Sequence, residues 1–359
     1  METSEVSQVK AATNGPRAFC VAMPPSGRPC KMTGEQPSDF ISILQDADIA
    51  WLNFSVSEIH EETAKIASAL GFSSSLVPSL LSGYYSAYED RDTELGLMLP
   101  AVRVTGLKVD VYPLLILIRK NLILTMHTKE VVRLVHFYRY AETFMRKIKP
   151  VLPWQDKLTI FLTRLIDENN SANFDHLRRI ETQGDELSSR LTDPTIPRNI
   201  IAPEIHNMKH ALIQYLDTLW ATLDVINSLR HGDAELITDS PKLLARIGIL
   251  AGDVNRQISL SEHMSEVLAS GLEVLQSIYN NQLQIINNRL ALAVTWLTVL
   301  GTAVLVPNTL ATIFGNTAFD LKPSDAGWYS AMLIISTVGS TLLAYWWIKK
   351  KGIIPKAIS

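Results

Sequence analysis

Residues 290–314 read LALAVTWLTVLGTAVLVPNTLATIF, 25 positions without a charged side chain. An α-helix rises about 1.5 Å per residue, so about 20 apolar residues cross the hydrocarbon core of a bilayer. A second uncharged run, Ala326 to Ile348, has 23 residues. Core helices of soluble proteins rarely need runs of this length, so the pair predicts two membrane spans. Trp328, Tyr329, Tyr345, Trp346 and Trp347 stand near the ends of the second run, where aromatic belts meet the bilayer interface.

The flanks give an orientation. Lys349, Lys350, Lys351 and Lys356 follow the second span, and Arg289 precedes the first. The connecting loop, residues 315–325, carries Asp320, Lys322 and Asp325. Basic flanks favour the cytoplasm. Both termini are therefore expected in the cytoplasm of a cell-membrane protein with a short outer loop. The first 289 residues then form a cytoplasmic part.

Composition narrows the class. A chain of 359 residues that is 47% hydrophobic is not disordered. Two cysteines, Cys20 and Cys30, exclude a disulfide scaffold and suit a reducing compartment. A net charge of −3 gives no basic footprint, so no nucleic-acid partner is expected. Residues 1–17 are polar, without the apolar core of a secretory signal, and read as a mobile tail.

Short apolar or β-branched runs at Ala18–Met23, Ile49–Phe54, Leu97–Val104, Val109–Ile118 and Asn121–His127 predict strands. Arg119-Lys120-Asn121 predicts a hairpin turn between the last two. Ser57–Leu70 and Ser73–Ser82 read as helices between strands, the first with Glu61 and Glu62 in its opening turn. From Lys129 onward the pattern is helical. Trp154–Leu191 and Pro203–Ile237 predict two long helices, separated by a hairpin turn at residues 192–197. The second is acidic, with Glu204, Asp217, Asp224, Asp233, Glu235 and nearby Asp239 against Lys209 and Arg230. Such a face is either simply solvated or an acidic fringe that concentrates cations near a pore mouth.

Ser240-Pro241 is a helix start, and no proline follows until Pro307. A helix unbroken to Phe314 has 74 residues and would span about 110 Å. Leu244, Ile247, Ala251, Val254, Ile258, Leu268, Leu272, Leu275, Tyr279 and Ile286 follow an a/d spacing, which asks for a partner helix. The expected fold is an α+β membrane protein. An N-terminal cytoplasmic α/β sandwich domain with an acidic helical hairpin (18–240) precedes a long stalk helix (241–289). The stalk is continuous with the first (290–314) of two C-terminal transmembrane helices. An outer loop (315–325), the second span (326–348) and a basic cytoplasmic tail (349–359) follow.

Within the first span, Asn281, Asn288, Thr295, Thr302, Thr309 and Asn316 recur every seven residues and share one face, which Thr298 and Thr312 widen. Leu283, Leu290, Leu297 and Val304 hold another face. Thr and Asn can join helices through hydrogen bonds. They can also line an aqueous pore built from several copies, since two spans enclose nothing alone. A charge at the bilayer centre costs at least about 2.5–3.5 kcal/mol, and this face carries no carboxylate. Neutral oxygens suit Mg²⁺, which dehydrates reluctantly and presents its waters as donors. A bare transition metal would want His, Cys or carboxylates.

Pro307-Asn308-Thr309 followed by Thr312-Ile313-Phe314-Gly315-Asn316 resembles the CorA family of divalent-cation transporters. That family has a Pro-x-Thr element, an aromatic-Gly-Met-Asn signature closing its first span, a C-terminal pair of spans and a basic tail. The motif resemblance covers about residues 288–351; the order of parts resembles the family over most of the chain. Here the signature methionine is missing, and Pro307 to Asn316 is shorter than the family spacing. The resemblance implies a homopentamer with a five-helix pore, its outer ring formed by Asn316 beside Gly315. Thr309, Thr302, Thr295 and Asn288 would stand along the pore. It also implies regulatory Mg²⁺ between neighbouring cytoplasmic domains that favours the closed state. Glu89, Asp90 and Asp92, with Asp253 on the stalk, are the matching acids.

Other motifs are weak. His206 and His210 stand at i and i+4 without the glutamate of a zinc-protease motif. Neither a phosphate-binding glycine loop nor a catalytic serine motif occurs, so no enzyme and no organic cofactor is expected. Transport would be passive: 100 mV is worth about 2.3 kcal/mol per charge, hence about 4.6 for a divalent ion. Two alternatives stay open. One is a CorA-like carrier of Zn²⁺, Co²⁺ or Ni²⁺, which the missing methionine allows. The other is a membrane-anchored sensor without flux.

Overall fold

The computed structural model describes residues 16–192, 198–231, 234–315 and 322–350. The expected tail through residue 15, the turn at 193–197, Asp233, Asn316, Asp320, Lys351 and Lys356 lie outside them. Two units divide the chain, residues 1–272 and 273–359.

The first unit is built on a seven-stranded sheet: β1 (Ala18–Met23), β2 (Cys30–Gly34), β3 (Ile49–Val56), β4 (Ala87–Asp90), β5 (Glu94–Thr105), β6 (Lys108–Arg119) and β7 (Leu122–Thr128). The order is β2-β1-β3-β7-β6-β5-β4. Only β3 and β7 run parallel; the other neighbours are antiparallel. Five strands fall where the apolar runs place them. The edge strands β2 and β4 were not expected. Both are short and carry polar residues (Lys31 and Thr33; Glu89 and Asp90), a composition that protects a sheet edge and hides the strand from a hydrophobicity scan. The β6–β7 turn occurs as expected, with Asn121 at φ +67, a conformation asparagine tolerates.

Both faces of the sheet are covered, so its central strands β1, β3 and β7 are buried at nearly every position rather than at alternate ones. On one face Ala18, Cys20, Leu52, Phe54, Leu115 and Leu117 pack under α1 (Ile41–Gln45), α2 (Ile59–Ala69) and α3 (Leu76–Leu81). On the other, Trp51 meets Phe19, Phe137 and Phe161 at ring distances of 5.1, 5.2 and 5.6 Å. Phe137 comes from α4 (Arg133–Met145) and Phe161 from α5 (Trp154–Asn170). Beneath these rings, Trp51 Nε1 donates to Thr125 Oγ1 at 2.9 Å, and Thr125 Oγ1 donates to Asn53 Oδ1 at 2.6 Å. His127 Nε2 lies 3.1 Å from the same Asn53 oxygen. Burial pushes the His127 imidazole down to about 4, so it is neutral at physiological pH.

Two helix expectations need correction. The run Trp154–Leu191 is two helices, α5 and α6 (Asn173–Thr192). At the break, polar side chains compete with the helical ladder. Ser171 Oγ donates to Glu168 O at 2.9 Å, Asn169 Nδ2 to Pro100 O at 2.9 Å, and Asn173 Nδ2 to Gln257 Oε1 at 3.1 Å. Helix α7 (Arg198–His231) starts before Pro203 and contains it, and ends before Ile237. Proline forfeits one ladder bond without ending the helix, so placing it at the first position set the start too late.

Helix α8 (Pro241–Phe314) starts at the expected residue and runs through Pro307. In the first unit its apolar stripe is buried at Ile247, Leu250, Ala251, Val254, Ile258, Met264 and Leu268. The second unit comprises the rest of α8, a short 3₁₀ turn (Pro323–Asp325) and α9 (Ala326–Lys350). Both long helices contain apolar stretches long enough to cross a membrane. Their apolar side chains face outward: Leu297 is 67% exposed, Leu305 68% and Ile335 70%.

Candidate ion pathway

A hydroxyl has one proton to donate and lone pairs to accept with. In α8 the donors are already committed. Thr298 Oγ1 donates to Val294 O at 2.9 Å and Thr302 Oγ1 to Thr298 O at 2.8 Å. Thr309 Oγ1 donates to Leu305 O, and Thr312 Oγ1 to Asn308 O, each at 2.8 Å. Each oxygen is thereby left as an acceptor toward whatever lies outside the helix.

The heptad residues do not share one environment. Asn288 and Thr309 are exposed and Thr302 is half-buried. Thr295 is 8% exposed and lies among Leu292, Trp296, Val299, Tyr345 and Ile348, under the second span. Its hydroxyl also donates to the helix, to Ala291 O at 2.7 Å. The difference has a geometric cause. A straight α-helix drifts about 20° per heptad, so a seven-residue stripe winds slowly around it. Thr295 falls on the flank that touches α9, while Thr309 has turned away.

At the far end of α8, the Gly315 N–H donates to Ala311 O at 2.8 Å. A Cβ on Gly315 would stand 2.9 Å from that same carbonyl oxygen, closer than side chains tolerate. The glycine is therefore required by the way the helix closes. Asn316 follows it and lies outside the described residues. The start of α9 is fastened to this end. Trp328 meets Phe314 edge-to-face at 6.3 Å, and the Tyr329 hydroxyl lies 3.5 Å from Ala311 O. The Asp325 carboxylate accepts the Lys322 N–H at 3.0 Å, fixing the turn that enters α9. Sequence reasoning placed Trp328 and Tyr329 in an interfacial belt and missed this contact, for which an aromatic at each end of a short loop was the available signal.

The acidic candidates are not gathered. Glu89 accepts from Ser79 Oγ at 2.6 Å and faces Arg91 at 3.9 Å. Asp90 and Asp92 are exposed, Asp92 with φ +58 at the β4–β5 turn. Asp253 pairs with Arg256 on its own helix. Among the described residues, no group of three or more His, Cys, Asp or Glu is arranged to hold a metal, and His206 and His210 belong to none. One further acid adjoins Asp253. Burial raises the Asp167 carboxyl above its ordinary range, opposed by Arg164 and Arg246 and reinforced by Glu168 and Asp253. Nothing in the α5 sequence distinguishes Asp167 from an ordinary surface acid.

A family model described as CorA-like Mg2+ transporter protein matches residues 46–350. The complete structure of the CorA magnesium transporter from Methanocaldococcus jannaschii superposes with a TM-score of 0.68 and 18% identity, over 94% of this chain and 98% of that one. The soluble domain of the same transporter gives 0.57 and 20%, over 73% and 98%. The ZntB cytoplasmic domain from Vibrio parahaemolyticus RIMD 2210633 gives 0.56 and 14%, also over 73% and 98%. At these identities the structural likeness is one of fold. None of the curated protein sequences compared with the chain matches it.

Proposed function

The chain belongs to the CorA-like Mg²⁺ transporter family, a family of transporters rather than enzymes, and from that premise we propose that it is a homopentameric channel for Mg²⁺ uptake. Five copies of α8 enclose the pathway, which one protomer with two spans cannot do. Asn316 forms the outer ring that meets the hydrated ion, beside Gly315. Thr309 and Thr302 follow along the pore, with Asn288 toward the cytoplasm. Thr295 supports the contact with α9 instead of lining the pathway.

The ladder of committed hydroxyls carries this reading. Mg²⁺ holds its waters tightly, and those waters point their hydrogens outward. A wall of oxygens whose own protons are spent accepts from such waters and gives a bare ion nothing to bind strongly. The ion thus passes hydrated, driven by the membrane potential, worth about 4.6 kcal/mol for two charges across 100 mV. Both termini lie in the cytoplasm, consistent with Arg289, Lys349 and Lys350 at one end of the spans.

Cytoplasmic Mg²⁺ closes the channel by shifting the population of subunit packings. Because one chain does not gather Glu89, Asp90, Asp92 and Asp253, the regulatory ion takes donors from two protomers. The Asp253→Asn variant should then stay conductive at cytoplasmic Mg²⁺ that silences the parent.

The test is Mg²⁺ entry into sealed liposomes holding the purified oligomer at an inside-negative potential. Flux that is lost in Asn316→Ala, with assembly intact, is the expected result; unaltered selective flux in that variant would end the assignment. The missing signature methionine favours a second reading, transport of Zn²⁺, Co²⁺ or Ni²⁺. If that holds, one of these metals enters while Mg²⁺ neither enters nor competes. A sensor without flux predicts no entry of any of them.

A further inference from the structure

We propose that the groove between the spans beside Arg289 and Lys349 binds one anionic glycerophospholipid. The groove's apolar part is a small cavity lined by Leu292, Thr295, Trp296, Val299, Tyr345 and Ile348. Arg289, Leu292 and Trp296 stand at i, i+3 and i+7 and share a face of α8. Tyr345, Ile348 and Lys349 stand at i, i+3 and i+4 and share a face of α9. One mouth of the apolar groove is therefore flanked by a cation from each helix. Lys350 adds a third at the same level, its ammonium 4.8 Å from the centre of the Trp346 ring. Trp296, 56% exposed, borders the groove with an indole suited to the bilayer interface.

Neither span brings an acid to these cations. The sequence has no Asp or Glu from Val274 to Phe319, and none from Ala326 to Ser359. An acyl chain lying along the apolar faces of the two spans, with only part of it entering the small cavity, and a phosphate at its mouth satisfy both halves. A zwitterionic lipid supplies the phosphate but brings its own cation, which Arg289 and Lys349 disfavour. The proposal rests on the two-span reading and not on the identity of the ion carried.

The full-length oligomer is reconstituted in phosphatidylcholine vesicles containing either brominated phosphatidylglycerol or brominated phosphatidylcholine at equal mole fraction, and tryptophan quenching is measured. The anionic lipid is expected to quench more. The excess should vanish in Arg289→Gln/Lys349→Gln, persist in Lys351→Gln/Lys356→Gln, and shrink in Trp296→Phe. Should the first pair fail to assemble, Lys349→Gln/Lys350→Gln serves in its place with the same expectation. Equal quenching by the two lipids overturns the proposal. So does an excess lost equally on neutralising Lys351 and Lys356, because that marks general attraction to the tail and not a groove. Mg²⁺ entry measured in the same vesicles is a separate readout, so failure of the lipid site leaves the transport assignment standing.

Discussion

Leu52 of β3 and Leu305 of α8 both sit in uninterrupted apolar runs, yet Leu52 is 0% exposed and Leu305 is 68% exposed. An apolar run states that a segment avoids water; it does not state what replaces the water. In the sheet domain the replacement is other side chains, and polar groups in the core are wired to one another, as in Trp51, Thr125 and Asn53. In the spans nothing within the chain replaces the water on the exposed faces, and each threonine hydroxyl turns back on its own helix. Both arrangements answer the same demand, that a polar group removed from water must find a partner. The first uses tertiary contacts, and the threonines of the second use their own helix.

The widest separation between the regions is expected from one truncation made in each. Leu52→Ala should destabilise the sheet domain by about 2–5 kcal/mol, as large-to-small changes in packed cores do. Leu305→Ala should stay within about 0.5 kcal/mol, as surface changes do. Denaturant unfolding followed through Trp51 fluorescence measures the first, and thermal dissociation of the oligomer the second. An equal cost at both sites would mean that Leu305 packs against another protomer, and the comparison would then need redrawing around the assembly.

A charge separates exposed-to-lipid from exposed-to-water. Val151, before α5, is 95% exposed. Val151→Arg should change stability by no more than about 0.5 kcal/mol. Leu305→Arg places the same charge in the middle of a span, where it costs at least about 2.5–3.5 kcal/mol. The fraction of chain integrated into membranes measures this directly, and normal integration of Leu305→Arg would contradict the span assignment.

The spans, the five central strands and the continuous α8 were legible because each depends on a long or regular pattern. Elements that depend on single contacts were not. Strands β2 and β4 pair through backbone groups at the sheet edges, where side chains are polar for protection, so hydrophobicity carries no trace of them. The α5–α6 break needs Asn169 to reach Pro100 and Asn173 to reach Gln257, partners distant in sequence. The heptad stripe was visible as a pattern, but its environment was not. A period of seven looks straight on paper and winds on a helix, so Thr295 ends beneath α9 while Thr309 does not. The acids Glu89, Asp90, Asp92 and Asp253 were picked out by resemblance, and within one chain they form no site.

Acid should act on one region and spare the other. His127 is neutral in the fold near pH 7, and its folded value of about 4 lies below the ordinary 6.5. Between those values the unfolded chain binds the extra proton. Stability is therefore unaffected above pH 6.5 and falls as the pH drops toward 4, by up to roughly 3 kcal/mol. The His127→Gln variant should lose that part of the pH dependence. The second unit contains no histidine, so the helical signal of the spans should persist while Trp51 fluorescence reports loss of the sheet domain. Loss of both at the same pH would mean the two regions unfold as one.

The smallest energetic effect tests the finest distinction, between two threonines fourteen residues apart on α8. Valine replaces threonine with nearly the same shape and removes the hydroxyl. Since each hydroxyl bonds its own backbone, Thr295→Val and Thr309→Val should each change stability by about 0.5 kcal/mol or less. Their effects on Mg²⁺ entry should differ. On the proposed reading the exposed Thr309 oxygen is the acceptor offered to the ion's waters, and a methyl there would break the ring in every subunit. At Thr295 the oxygen is covered by Tyr345, Ile348 and their neighbours, and water in the pathway does not meet it. Liposome flux that falls in Thr309→Val and holds in Thr295→Val would place the pathway on the face turned away from α9. The opposite result would mean that the second span shifts on assembly and that the pathway follows the face seen here as buried.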